Sequence, residues 1–357
     1  MSVTLSTAES RLVEICSDLL DVDVAPEDNF FDVGGYSLLV VKLVAEARKA
    51  GVELTAGLVF EHQTIEAIAA VAVAGARPAK AAAETFDELW HGATGTWEEP
   101  GARALIPLTE GTGTPFFCVH WGSGNVEFMK RFAERAGFGR PSYGLRSPAI
   151  VARERPLLSI ADMAERYLTE IRALQPHGPY LLGGLCSGGL VAYEMAQRLT
   201  AAGEAVAHVA LINCEPPSAP HGFDFGWGLA DFYRFRLAWL GKRTGSEDLA
   251  TDAARVMCEL KAVDWYDADA DPAEFHWLHL VWAALVFAQV HYEARPYDGP
   301  VTVFQPEECA NDPRYSWRSL VPDLIEQSHA DSDTWEMLRD DRLWRTLEAR
   351  LAAADAA

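Results

Sequence analysis

The sequence is short of positive charge: 30 Lys and Arg against 52 Asp and Glu give a formal net charge of −22. That excess argues against binding to nucleic acid or to an anionic membrane, both of which need a cationic surface. Paired cysteines are lacking too. The six, at 16, 118, 186, 214, 258 and 309, show no CxxC or other metal-ligand spacing. They are expected to be free thiols in a reducing compartment, with no metal bound. No apolar run is expected to cross a bilayer, and the opening residues MSVTLSTAESRLVEIC lack the basic start and apolar stretch of a secretory signal. A cytoplasmic protein is expected, with little room ahead of the first helix for a docking segment. No internal repeat is evident. What is present is an ordinary hydrophobic fraction of 49% spread over 357 residues. That length exceeds a typical single domain, so two units with separate cores are expected.

The composition breaks once. Residues 74–104, AGARPAKAAAETFDELWHGATGTWEEPGARA, are rich in alanine, glycine and proline and read as a linker onto which Trp90 and Trp97 would add docking points. Helical periodicity dominates before the break, in SRLVEICSDLL and SLLVVKLVAEARKAG. After it, strand-like runs (FFCVHW, PYLLGGL, VAHVALIN, PVTVFQ) alternate with helical ones, as an α/β sheet requires. The expected division is 1–77, a linker over 78–104, and 105–357.

Residues 178–190, GPYLLGGLCSGGL, run from an apolar strand through a glycine-rich turn into a helix. The pattern is that of a nucleophile elbow, GxSxG, with cysteine in place of serine. Gly184 and Gly188 flank Cys186 at the minus-two and plus-two positions, where the strained turn needs small residues. Taking Ser187 as nucleophile would put Leu185 at minus two, which the turn would not easily hold. The bland alternative is that Cys186 is a small buried hydrophobe. At the N-terminus of the following helix, a thiolate would be favoured by the helix dipole.

Within the first segment, DNFFDVGGYSLLVV joins the two helices. On periodicity alone Ser37 reads as a helix N-cap. The string FFDVGGYSLL, however, closely resembles the carrier-domain motif of nonribosomal peptide synthetases, and VFEHQTIEAIA over 59–69 is similar to the stretch that follows it there. The resemblance covers roughly residues 8–75. It implies a 4′-phosphopantetheine arm on Ser37, attached by a phosphopantetheinyl transferase. Tyr36 departs from the family, which more often has histidine or aspartate there.

Residues 105–357 resemble the type I thioesterase domain that ends such assembly lines, through PFFCVHWGSGN, YGLRSP, MAERYLTEIRALQPHGPYLLGG, the elbow, and GLVAYEMAQRL. The implied architecture is an α-helical carrier bundle followed by an α/β-hydrolase domain. A helical lid is inserted at about 216–292, rich in aromatics. The resemblance also implies roles for particular residues. His329, the last histidine in the chain, occupies the family position of the base. Asn213 falls where the family has aspartate, and a Cys-His-Asn arrangement is chemically coherent because a thiolate can pair directly with an imidazolium. Glu215, Glu307, Glu308 and Asp312 are alternative orienting groups. Backbone N–H groups of Ser187 and Trp121 would form the oxyanion hole, with Gly122 as the alternative to Trp121; His120 would support the loop.

The implied function is release of an acyl or peptidyl chain from the carrier, through an acyl-cysteine, by hydrolysis or cyclisation in nonribosomal peptide or hybrid biosynthesis. One alternative is acyl or aminoacyl transfer between carriers, since an acyl-cysteine stays activated. Another is a non-catalytic docking module that keeps the elbow for structure. The implied partners are an acyl or peptidyl thioester and upstream synthetase modules or other carriers.

Overall fold

The computed structural model describes residues 5–20, 22–35, 37–50, 52, 54, 58–59, 62–73, 101–135, 138–217, 219, 227–246, 248–262, 271–329 and 334–355. In chain order the first elements are α1 (Leu5–Leu20), α2 (Ser37–Lys49), α3 (Ile65–Val73), β1 (Leu105–Thr109), β2 (Phe116–Val119), α4 (Phe128–Arg135) and β3 (Ser142–Leu145). Then come α5 (Pro148–Ala152), α6 (Ile160–Leu174), β4 (Tyr180–Leu185), α7 (Ser187–Ala201), β5 (Val206–Ile212), α8 (Leu229–Thr244), α9 (Leu249–Ala262) and α10 (Phe275–Val290). The chain closes with β6 (Val301–Pro306), α11 (Glu307–Ala310), β7 (Ile325–His329), α12 (Thr334–Arg339) and α13 (Asp341–Asp355).

Two units emerge, Met1–Leu89 with Pro220–Leu249, and Trp90–Ala219 with Ala250–Ala357. The sequence reading assigns the whole insertion at about 216–292 to the second unit; the structure groups its first part, including α8, with the N-terminal helices. The linker expected over 78–104, with Trp90 and Trp97, lies outside the described residues except for its end. There the N–H groups of Gly101 and Ala102 donate to Glu154, and those of Ala104 and Leu105 donate to Glu170.

In the first unit, Ala8, Leu12 and Cys16 form a stripe on α1 at i, i+4 and i+8, the spacing that keeps side chains on one helical face. Leu39, Val40, Leu43, Val44 and Ala47 of α2 meet that stripe, together with Ile65, Ile68 and Ala69 of α3 and Phe30 of the connecting loop. Trp227, Phe235 and Trp239, on and just before α8, pack against the same cluster.

The second unit is built on a seven-stranded sheet in the order β1-β3-β2-β4-β5-β6-β7. β1 pairs antiparallel with β3 and every other pairing is parallel. Parallel strands with helices on both sides are buried on both faces, and every residue of β2, β4 and β6 is buried. On one face Phe116, Leu181, Ala210, Ile212 and Phe304 pack with Leu343, Trp344, Leu347 and Leu351 of α13. This is the α/β-hydrolase sheet. β1, β3 and β7, which the strand-like runs do not reveal, are only four or five residues long.

One expectation needs correcting. Pro272–Val290 is long and apolar enough to cross a membrane, with 19 residues and a mean hydropathy of 1.2, but 67% of it is buried within the protein. Trp277, Leu280, Val281, Ala283 and Ala284 of α10 are almost wholly covered. A helix apolar all round is then explained as an interior element.

Candidate functional site

Cys186 lies between β4 and α7 with φ 50° and ψ −126°. A non-glycine residue at positive φ is strained unless its surroundings impose the conformation. Here they do. The Cys186 N–H donates to the Ile212 carbonyl at 2.9 Å, and the Cys186 carbonyl accepts from Gly189 N–H at 2.9 Å. A Cβ at Gly184 would come within 2.2 Å of the Gly188 carbonyl oxygen, and one at Gly188 within 1.9 Å of the His120 carbonyl oxygen. Both glycines are therefore sterically required, and the frame centred on Cys186 is the one the turn adopts.

Parallel topology brings the other candidates to the same edge. The His120–Gly122 loop follows β2, Asn213 follows β5, and His329 ends β7 opposite Pro306 of β6. Asn213 has φ 45°, a conformation asparagine tolerates better than most side chains; its N–H donates to the Phe304 carbonyl at 2.7 Å. Hydrogen bonds thus run sideways from the elbow to β5 and on to β6. The backbone of His329 is placed at this edge, while its side chain and that of Glu308 lie outside the described residues.

Cys186 is half-buried. Burial first, and the Glu215 carboxylate second, push its thiol up to about 11 against the opposing pull of the Ser187 N–H. The dipole-stabilised thiolate expected from the sequence is therefore outweighed by desolvation: at pH 7 this thiol is neutral and needs a base. The neighbouring Cys214 is no rival. It is 2% exposed, packed against Gly189, and raised well above the ordinary thiol value, chiefly by burial.

His120 is fully engaged, one ring nitrogen with the Trp121 carbonyl and the other with the Tyr167 hydroxyl, each at 2.8 Å. Burial holds its pKa down to about 4, so it supports the loop as a neutral ring. Trp121 is anchored by its indole N–H, which donates to Asn125. Ser187 is 3% exposed. A Cβ at Gly122 would sit 3.5 Å from the Trp282 ring and 3.8 Å from the Ser187 Oγ, so α10 places an aromatic over this corner. Sequence reasoning treats the aromatics of this helix as lid packing and has no signal that singles out Trp282.

Among the alternative orienting acids, Asp312 is already committed. It caps the turn at Pro313–Tyr315 and both its carboxylate oxygens accept from Arg314 at 3.0 Å. Glu307 is exposed on α11. Glu215 is near enough to raise the thiols of Cys186 and Cys214 and the Tyr315 hydroxyl.

In the first unit the motif turn is also geometrically explained. Gly34 has φ 110°, and a Cβ at Gly35 would meet the Phe30 carbonyl oxygen at 2.3 Å. The turn delivers Ser37 as the first residue of α2; Tyr36 and the Ser37 side chain lie outside the described residues.

Residues 114–223 match the thioesterase domain family, and residues 10–72 match the phosphopantetheine attachment site. The first match falls on the strands and helices that form the elbow, the second on the helices around Ser37. It is 34% identical over 211 residues to a dimodular nonribosomal peptide synthase of Bacillus subtilis, a match covering 58% of this chain and 8% of that one. With enterobactin synthase component F of Escherichia coli the identity is 30% over 251 residues, 67% of this chain and 18% of that one. The chain spans between 2% and 20% of the length of the curated relatives it matches. Among solved structures, a four-domain nonribosomal peptide synthetase bound to AMP and glycine superposes with a TM-score of 0.57 at 24% identity, over 97% of this chain and 26% of that one. The NocB thioesterase domain, in covalent complex with a fluorophosphonate nocardicin G analogue, gives 0.50 at 24% identity, over 70% of this chain and 98% of that one. At these identities the likeness shows the fold. A groove of about 590 Å³ in the second unit, lined in part by Gln197, Thr200 and Tyr297, lies at the far end of α7, roughly 20 Å of helix from the elbow, and is separate from this site.

Proposed function

We propose that the protein releases an acyl or peptidyl chain from its own carrier during nonribosomal peptide biosynthesis, through an acyl-cysteine on Cys186. The observation that carries this is the elbow itself, a strained cysteine held at the head of α7 by two glycines that admit no side chain. When attached to Ser37, a phosphopantetheine arm supplies the thiol that presents the chain as a thioester. Tethering then gives an effective concentration of order mM, so weak direct recognition suffices.

Because the Cys186 thiol is neutral, His329 acts as a general base: it takes the thiol proton as sulfur attacks the carbonyl and returns a proton to the departing thiolate. Asn213 orients the imidazole, and Glu215 is the second candidate for that task. Backbone N–H groups of Ser187 and of Trp121 or Gly122 receive the developing oxyanion. Water or an internal nucleophile then attacks the acyl-cysteine, giving hydrolysis or cyclisation. One observation favours a second outcome, transfer to another carrier: a cysteine at the elbow keeps the acyl group as an activated thioester, and thioester exchange is nearly neutral in free energy.

The test follows the acyl group by intact mass and peptide mapping after treatment with soluble acyl-N-acetylcysteamine thioesters. An adduct is expected on Cys186 and none in Cys186→Ala. Ser37→Ala should refuse the arm from a phosphopantetheinyl transferase while Cys186 still acylates. Adding a second carrier separates release from transfer. An adduct on Ser187, or an arm on the Ser37→Ala protein, would overturn the assignment.

A further inference from the structure

Ser187 does more than lend its backbone to the turn. Its residue is 3% exposed, and its hydroxyl is buried without a hydrogen-bond partner among the described residues. Leaving a hydroxyl dry and unpaired is unfavourable, and such a group calls for a role or a partner that completes it. This one is on the residue directly after the proposed nucleophile and faces the loop after β2. The space beside Gly122 is bounded by the Ser187 Oγ and the Trp282 ring, and one added heavy atom there would stand 3.8 Å from the former and 3.5 Å from the latter. An oxygen entering that space and moving to hydrogen-bond distance of Oγ would complete the hydroxyl.

We propose that the Ser187 hydroxyl is a third donor to the oxyanion, beside the two backbone N–H groups. This inference rests on the acyl-cysteine reading. In the resting protein the hydroxyl has no partner among the described residues; when Cys186 attacks, the carbonyl oxygen gains negative charge in the gap beside Gly122 and accepts a hydrogen bond from it. The donor is held in place beforehand, and such preorganised donors contribute most where water is excluded.

Three variants test it, read by single-turnover acylation of Cys186 with octanoyl-N-acetylcysteamine and by thermal melting. Ser187→Ala should melt at the same temperature or higher, because an unpaired buried hydroxyl is removed, yet acylate about 10- to 100-fold more slowly, with the thioester concentration for half-maximal rate little changed. Gly122→Ala should also fold, since its added methyl makes only ordinary contacts, and should slow acylation by occupying the gap. Ser187→Thr, which keeps the hydroxyl, should retain more rate than Ser187→Ala. An independent readout is binding of octanal, whose hemithioacetal with Cys186 places an oxygen where the oxyanion forms. Ser187→Ala should weaken it by about the same factor as acylation while leaving octanamide binding unchanged. Equal acylation rates and equal octanal affinity in Ser187→Ala would overturn the proposal and leave the acyl-cysteine intact. Absence of any Cys186 adduct in the unsubstituted protein, across acyl thioesters, would instead sink the acyl-cysteine reading and this inference with it.

Discussion

At the scale of single residues, Cys186 is coupled electrostatically to the carboxylate of Glu215. Burial, with a smaller contribution from Glu215, pushes the thiol up to about 11. Glu215→Gln removes an anion that disfavours thiolate, so the pH profile of Cys186 alkylation by iodoacetamide should move to lower pH. That variant also separates the two orienting candidates. If Asn213 aligns the imidazole, Glu215→Gln should keep acylation within about threefold of the parent, and Asn213→Asp should improve a Cys186→Ser variant, because serine needs an anion to stabilise the imidazolium that cysteine can offset itself. Loss of about 10²-fold in Glu215→Gln, with no gain from Asn213→Asp, would give the role to Glu215. Much of this is legible in the letters. Gly184, Cys186 and Gly188 announce a turn whose sterics the structure then explains, and Asn213 stands out as an amide in an acid's place. The raised thiol pKa is not legible, because desolvation depends on what packs around Cys186, and sequence supplies only the helix that follows it.

At the scale of elements, the elbow depends on how closely α7 passes the end of β2. A Cβ at Gly188 would lie 1.9 Å from the His120 carbonyl oxygen, which is backbone and cannot swing aside, whereas one at Gly139 would meet nothing within 4 Å. Gly188→Ala is therefore expected to destabilise by at least ~3 kcal/mol and Gly139→Ala by less than about 0.5 kcal/mol, read as midpoint shifts in urea at constant m. Comparable stability for the two would mean that α7 can shift outwards and that the close approach is not needed. The strands flanking the elbow are legible because β4 is a continuous apolar run and β5 is apolar but for His208. β3 and β7 are not, being short and half-polar: SYGL and IEQSH acquire strand geometry from their neighbours' hydrogen bonds. α10 misleads in the opposite sense. Its continuous apolarity passes for a membrane segment by length and composition, and only the packing on all its sides shows why each face is apolar.

At the scale of the whole molecule, buried histidines tie folding to pH. His120 on the loop after β2 and His208 on β5 are each held down to about 4, chiefly by burial, with Arg350 adding to the effect at His208 and the Trp121 carbonyl and Glu127 opposing it at His120. Both are neutral in the folded protein at pH 6 and take up protons when the chain unfolds. The unfolded state then binds more protons between the ordinary histidine value near 6.5 and about 4, so stability must fall as pH falls through that window and be fully present above it. Two such groups give a limiting slope of about 2.7 kcal/mol per pH unit. His208 offers the cleaner handle, since it lies 4% exposed and away from the elbow, with an Nε2 that has no partner among the described residues. His208→Leu should lower the slope of unfolding free energy between pH 6.5 and 5, before most carboxylates titrate, by up to about 1.4 kcal/mol per pH unit, and should leave acylation of Cys186 unchanged at pH 7.5. If the slope were identical in parent and variant, His208 would have to be protonated or solvated in the folded state, and the packing of α13 over that face of the sheet would be looser than the burial of Leu347 and Leu351 implies.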